Sequence, residues 1–154
     1  MKKILRKFKR CAHLLYNFIF KNKARMLTVR IIILSAWYRM RIKHVPMSKL
    51  QSSFGEMGRH SPEQETEEIM RAASFIGARV ERICAKTPWQ SKCFVRALTA
   101  QHILVRKSIH STLYLGLTKE NGHMAAHAWL RCGTCYVTGW AGYAGHVVVS
   151  YFYK

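Results

Sequence analysis

A chain of 154 residues with 49% hydrophobic and 12% aromatic content has room for one domain and enough apolar surface to bury a core, which excludes a disordered tail. Lys and Arg number 26 against 7 acidic residues, a net charge of +19, so the surface suits anionic lipid, nucleic acid, peptide or an acidic protein. All seven acids are glutamates, and the lack of any aspartate excludes Ser-His-Asp and Cys-His-Asp triads outright.

Residues 1 to 45 hold 13 of the cations and no acid. Within them Leu5, Phe8, Ala12, Leu15 and Ile19 recur at spacings of 3 and 4, and Ile31, Leu34 and Tyr38 repeat the pattern. Two amphipathic helices are predicted, packing on their own domain with solvated basic faces or docking to a membrane or an acidic partner. Leu14 to Phe20 follow a basic run but lead into Lys21 and Lys23 without a small-residue cleavage site, so no secretory signal is read. The longest apolar stretch, Met26 to Tyr38, is 13 residues long and contains Arg30, too short to span a bilayer. With five cysteines, an odd number, reduced thiols and a cytoplasmic location are expected, peripheral to the inner membrane surface if the basic segment docks there.

Val45-Pro46 closes the basic segment, and residues 46–60 read as a connector with Gly55 and Gly58. A helix start is predicted at Ser61-Pro62-Glu63-Gln64, with Ser61 as N-cap and Gln64 closing a capping box. Ile69, Ala72, Ala73, Ile76, Val80 and Ile83 make its buried stripe, which ends near Lys86, before Thr87-Pro88. A further helix follows, with Cys93 in its first turn and Phe94, Ala97, Leu98, Gln101 and Leu104 at helical spacing. From Ser111 the pattern turns strand-like over Ser111 to Thr118, Met124 to Arg131, Tyr136 to Thr138 and Val147 to Phe152, with turns at Asn121-Gly122 and Gly133. N-terminal helices followed by a small antiparallel sheet make an α+β fold.

The strongest chemical constellation is Cys93 at a helix start with strand-borne His127 downstream. A thiol there feels the positive end of the helix macrodipole, and an imidazole within reach would hold it as thiolate. Lys92 and Arg96 add positive charge nearby, and Trp89 is a candidate wall of a peptide groove.

Four separated stretches then match a known pattern in order: Pro88 to Ala97, Ser111 to Leu117, Ala126 to Gly133 and Val137 to Gly139. They resemble the transglutaminase-like leader peptidases of lasso-peptide biosynthesis over roughly residues 60 to 154, in the form whose leader-recognition domain is a separate protein. The resemblance implies a papain/transglutaminase-like fold, with residues 61–154 as the cysteine peptidase core, and removal of the leader from a ribosomal precursor peptide. A separate ATP-using cyclase then closes the macrolactam. Cys93 would attack the scissile carbonyl and His127 would shuttle the proton, with the Cys93 backbone N–H and the Gln90 side chain as candidate oxyanion donors. No cofactor is implied. Relatives often place an aspartate some dozen residues beyond the histidine, where this chain has Thr138-Gly139-Trp140. Orientation of His127 would therefore come from Thr138, a backbone carbonyl or Glu120. Trp129, on the face of His127, would shield the catalytic hydrogen bond and border the groove.

Two rival readings stand beside this one. His123, His127, Cys132 and Cys135 have zinc-like spacing, against which two semi-buried thiols flanking a hairpin is the plainer reading, and no metal is expected. A basic module without catalysis, binding anionic membrane, nucleic acid or acidic protein, is the alternative function, although no nucleic-acid-binding motif supports specific recognition.

Overall fold

The computed structural model describes residues 23–120, 123–142 and 145–154. The helix expected over Leu5 to Ile19, the Asn121-Gly122 turn and Tyr143 lie outside them. Helix α1 (Lys23–His44) turns Ile31 and Tyr38 into the core and ends beside Val45-Pro46, with Arg41, Lys43 and His44 at its negative pole. A short α2 (Met47–Gln51) then seats Leu50, and the chain buries Phe54 before β1 (Glu56–Met57). The stretch expected to be only a connector thus contributes a helix and a strand.

Helix α3 (Glu67–Cys84) begins six residues after the predicted cap. Thr66 is the N-cap, its side chain accepting from the Ile69 N–H at 3.3 Å, with Glu67 and Glu68 at the positive pole. Ser61 is held elsewhere: its N–H donates to Thr112 Oγ1 at 2.7 Å, and Thr112 Oγ1 donates to Ser61 Oγ at 2.9 Å. A buried tertiary contact therefore overrides a good local capping signal. Ala73, Ile76, Val80 and Cys84 form the buried stripe of α3. Gly77 lies among them because a Cβ there would overlap the carbonyl oxygen of Val137, so the glycine lets helix and sheet approach.

Helix α4 (Cys93–Val105) is the central element, buried at Val95, Ala97, Leu98, Thr99, Ala100, Ile103 and Leu104 between α1 and α3 on one side and the sheet on the other. Its apolar residues run almost all round, as a helix covered on every side requires.

Strands β2 (Thr112–Glu120), β3 (His123–Cys132), β4 (Cys135–Thr138) and β5 (Val147–Tyr153) complete a five-stranded antiparallel sheet of order β1-β5-β2-β3-β4. In register Leu113 pairs with Leu130 and Phe152, while Tyr114 pairs with Trp129 and Tyr151. Directly opposed residues share a face, so the first trio meets the helices and the second lies on the outer face. Phe54 joins sheet to helix, its ring 5.3 Å from both Phe94 and Phe152. The architecture is the α+β arrangement expected, with one strand more than the sequence pattern showed.

Candidate active site

Cys93 is the first residue of α4, after Lys92 in extended conformation with no side-chain cap. The first intrahelical bond there runs from Arg96 N to Lys92 O, so the N–H groups of Cys93, Phe94 and Val95 have no acceptor within the helix. These N–H groups belong to the same first turn as the half-buried Cys93 thiol, an arrangement suited to a thiolate or an oxyanion. Arg96 fixes the approach to Cys93, since its Nε donates to Ser91 O at 2.7 Å and its Nη1 meets Glu81 at 2.6 Å on α3. Thr87 Oγ1 tightens the same loop, 2.9 Å from Cys84 O and 3.0 Å from Ser91 Oγ. Burial pushes the thiols of Cys84 and Cys135 up and that of Cys132 up to about 11.

His127 stands on β3 opposite Gly116 of β2. Its Nε2 is 2.8 Å from the carbonyl oxygen of Gly139. A carbonyl only accepts, so Nε2 carries the proton and Nδ1 is left with the lone pair, the nitrogen able to act as base. Trp129 stacks beside the imidazole at 6.0 Å and 22°, and Tyr114 stacks on Trp129 at 5.5 Å and 8°. Gly116 makes room for this stack, because a Cβ there would stand 2.8 Å from the Trp129 ring and 3.1 Å from His146 Cβ.

His146 is a residue of the site that no local pattern in the sequence singles out. Its ring lies 5.3 Å from that of His127, and its buried Nδ1 has no hydrogen-bond partner among the described residues. Only the fold could reveal it, since β5 is brought beside β2 from across the chain. A cleft of about 640 Å3 opens on this face, lined by His60, Tyr114, Trp129, Arg131, Tyr136 and His146 among others. Arg131 is committed within it, donating to Tyr114 Oη at 3.0 Å, Gly133 O at 2.6 Å and Ser61 O at 3.2 Å.

The remaining candidates sit as follows. Thr138 is buried next to Gly139, but its Oγ1 has no partner among the described residues and does not bond His127. Glu120 pairs with His123, four ladder positions from the Gly116–His127 pair, about 13 Å along the strand. Gln90 is exposed on the loop before Cys93, and Trp89 donates its indole N–H to Ser35 Oγ of α1 at 3.3 Å. Trp89 is thereby tied to the helical layer, away from the cleft that Trp129 borders.

Cys93 and His127 are not hydrogen-bonded to each other. Alternation along β3 places Leu130 and Cys132 against the helices and His127, Trp129 and Arg131 on the outer face, whereas Cys93 opens the helix that covers the inner one. The same alternation separates the zinc candidates, with His123 and His127 on one face and Cys132 on the other. Among the described residues no group of three or more His, Cys, Asp or Glu stands close enough to hold a metal ion.

The model of the transglutaminase-like superfamily matches residues 37–150. The chain belongs to that superfamily. The match begins within α1, whose Ile31 and Tyr38 share one core with α3, α4 and the sheet. No curated protein and no solved structure matches the chain.

Proposed function

We propose that this protein is a cysteine peptidase in which Cys93 is the nucleophile and His127 the general base and acid. One observation carries the reading: His127 Nε2 is held by the Gly139 carbonyl, which fixes the tautomer with Nδ1 as the basic nitrogen without any aspartate. A neutral orienter suffices for a thiol, whose anion forms more readily than an alkoxide.

In the reaction the Cys93 thiolate attacks the carbonyl carbon of the scissile peptide bond. The unpaired N–H groups of the first turn of α4 receive the oxyanion, and Gln90 is the candidate second donor. The C–N bond breaks as imidazolium His127 protonates the leaving amine, and water then hydrolyses the thioester with His127 taking its proton. Attack requires thiol and imidazole within about 3 Å, a contact this structure does not hold, so on this reading α4 and β3 must shift to bring Cys93 and His127 together as the substrate binds. The substrate we propose is a ribosomal lasso-peptide precursor presented by a separate leader-recognition protein, with an ATP-using cyclase consuming the product. Its support is the four ordered sequence stretches around Cys93 and His127. The test is cleavage of such a precursor in the presence of its recognition protein. Loss of cleavage in both Cys93→Ala and His127→Ala is expected, and intact processing by either variant would refute the reading.

The missing Cys93–His127 hydrogen bond favours a second reading, a basic binding module built on the same fold without catalysis. It expects Cys93 reactivity to be indifferent to His127 and binding to anionic partners to fall steeply with salt.

A further inference from the structure

Helix α1 is apolar on two sides. Its inner side enters the core through Ile31 and Tyr38. Its outer side carries Met26, Ile33, Trp37 and Met40, which are 37%, 62%, 44% and 61% exposed. At about 100° per residue these four fall within an arc of about 60°, a stripe about 21 Å long. The helix holds Lys23, Arg25, Arg30, Arg39, Arg41 and Lys43 and not one acid. Helical geometry sets Arg30 and Arg41 along one border of the stripe and Arg25 and Lys43 along the other. The Arg41 guanidinium stands 4.7 Å from the centre of the Trp37 ring, which places a cation at the edge of the apolar strip.

We propose that this face of α1 rests on an anionic lipid surface. An interfacial layer accepts both parts of the pattern at once, with the aliphatic and indole groups entering the headgroup boundary and the flanking cations at the depth of the phosphates. A cationic border on both flanks of a long apolar strip suits a continuous anionic plane, whereas an acidic protein would need carboxylates on both sides of a matching groove. Among the described residues no helix is long and apolar enough to cross a membrane, so the contact is one of lying on the surface. The proposal is independent of the peptidase reading.

The test uses the full chain with vesicles of phosphatidylglycerol and phosphatidylcholine, and with vesicles of phosphatidylcholine alone. Sedimentation is expected to show binding at least about tenfold tighter to the anionic vesicles. Brominated lipid should quench tryptophan emission, and Trp37→Phe should remove that quenching. The double variant Ile33→Glu, Met40→Glu changes exposed positions only, and it should bind at least about tenfold more weakly with an unchanged circular dichroism spectrum. Wild-type-like binding by that variant, or equal binding to the two vesicle types, would overturn the proposal. So would failure to bind either vesicle, and with it a shift of the double variant's elution volume in gel filtration would assign the stripe to contact with a second copy.

Discussion

Of the three orienting groups the sequence left open, Thr138, Glu120 and a backbone carbonyl, it is the carbonyl of Gly139 that meets His127. That carbonyl takes the Nε2 proton of His127, so the orienting group carries no charge and leaves no mark in the residue types around it. Thr138, one residue away, points into the core instead, and Glu120 sits far along the ladder. On the peptidase reading Cys93→Ala and His127→Ala should each lower kcat/KM by about 10^3 or more, with the melting temperature of both variants near that of the wild type. His146→Ala removes the ring beside His127, and it should lower kcat more than it raises KM if His146 steadies the imidazole. Gly116→Val is predicted to act through structure. It drives a side chain into Trp129 and His146, and urea unfolding should show a loss of about 1–3 kcal/mol. The cysteine and the strand histidine were legible because a helix start and a strand are local patterns. His146 was not, because its proximity depends on the pairing of β2 with β5.

At the scale of elements the same division recurs. The central helix and four strands follow from apolar period and β-branched runs, which belong to each segment by itself. Strand β1 is only Glu56–Met57, both residues exposed, and no alternation can announce so short a piece; its pairing with Phe152 and Tyr153 defines it. The cap of α3 lies at Thr66, five residues beyond Ser61, because Ser61-Pro62 fits local rules that the bonds between Ser61 and Thr112 overrule. Thr66→Ala should therefore cost about 1 kcal/mol in urea unfolding, while Gln64→Ala should change nothing measurable. Helix α1 is joined to α4 through His102. Arg106 Nε can only donate to His102 Nε2, at 3.1 Å, so His102 Nδ1 carries the proton toward Tyr38 Oη at 3.2 Å. Burial, and then the positive charges of Arg106 and others, hold the His102 pKa below its ordinary value. The unfolded chain therefore binds the extra proton first as pH falls, and stability contributed by neutral His102 is lost below about 6.5. His102→Gln should flatten that acid limb of the melting curve.

For the whole molecule the alkaline side is set by groups kept neutral in the core. Burial raises Cys132 to about 11 and Tyr38 to about 12, so both stay protonated in the fold after they would ionise in the unfolded chain. The unfolded state sheds these protons first, and stability should fall as pH rises above about 9, with Cys132→Ala reducing the drop. Maximum thermal stability is expected between these two limbs, near neutral pH, and a melting temperature still rising at pH 10 would contradict it. Charge is shared just as unevenly across the chain, with α1 wholly basic and the acids confined to residues 56 onward.

The claim on which the functional account rests is that Cys93 and His127 work as a pair although they are not hydrogen-bonded in this structure. The most direct measurement is the alkylation rate of each cysteine against pH, read by mass spectrometry, in the wild type and in His127→Ala. The account predicts that Cys93 alone reacts fast near pH 6 and slows about tenfold or more in the variant, while Cys84, Cys132 and Cys135 stay slow in both. A Cys93 rate that is the same in the two proteins, and that rises only with the titration of an ordinary thiol near pH 8.5, would contradict it and leave the fold as a basic binding module.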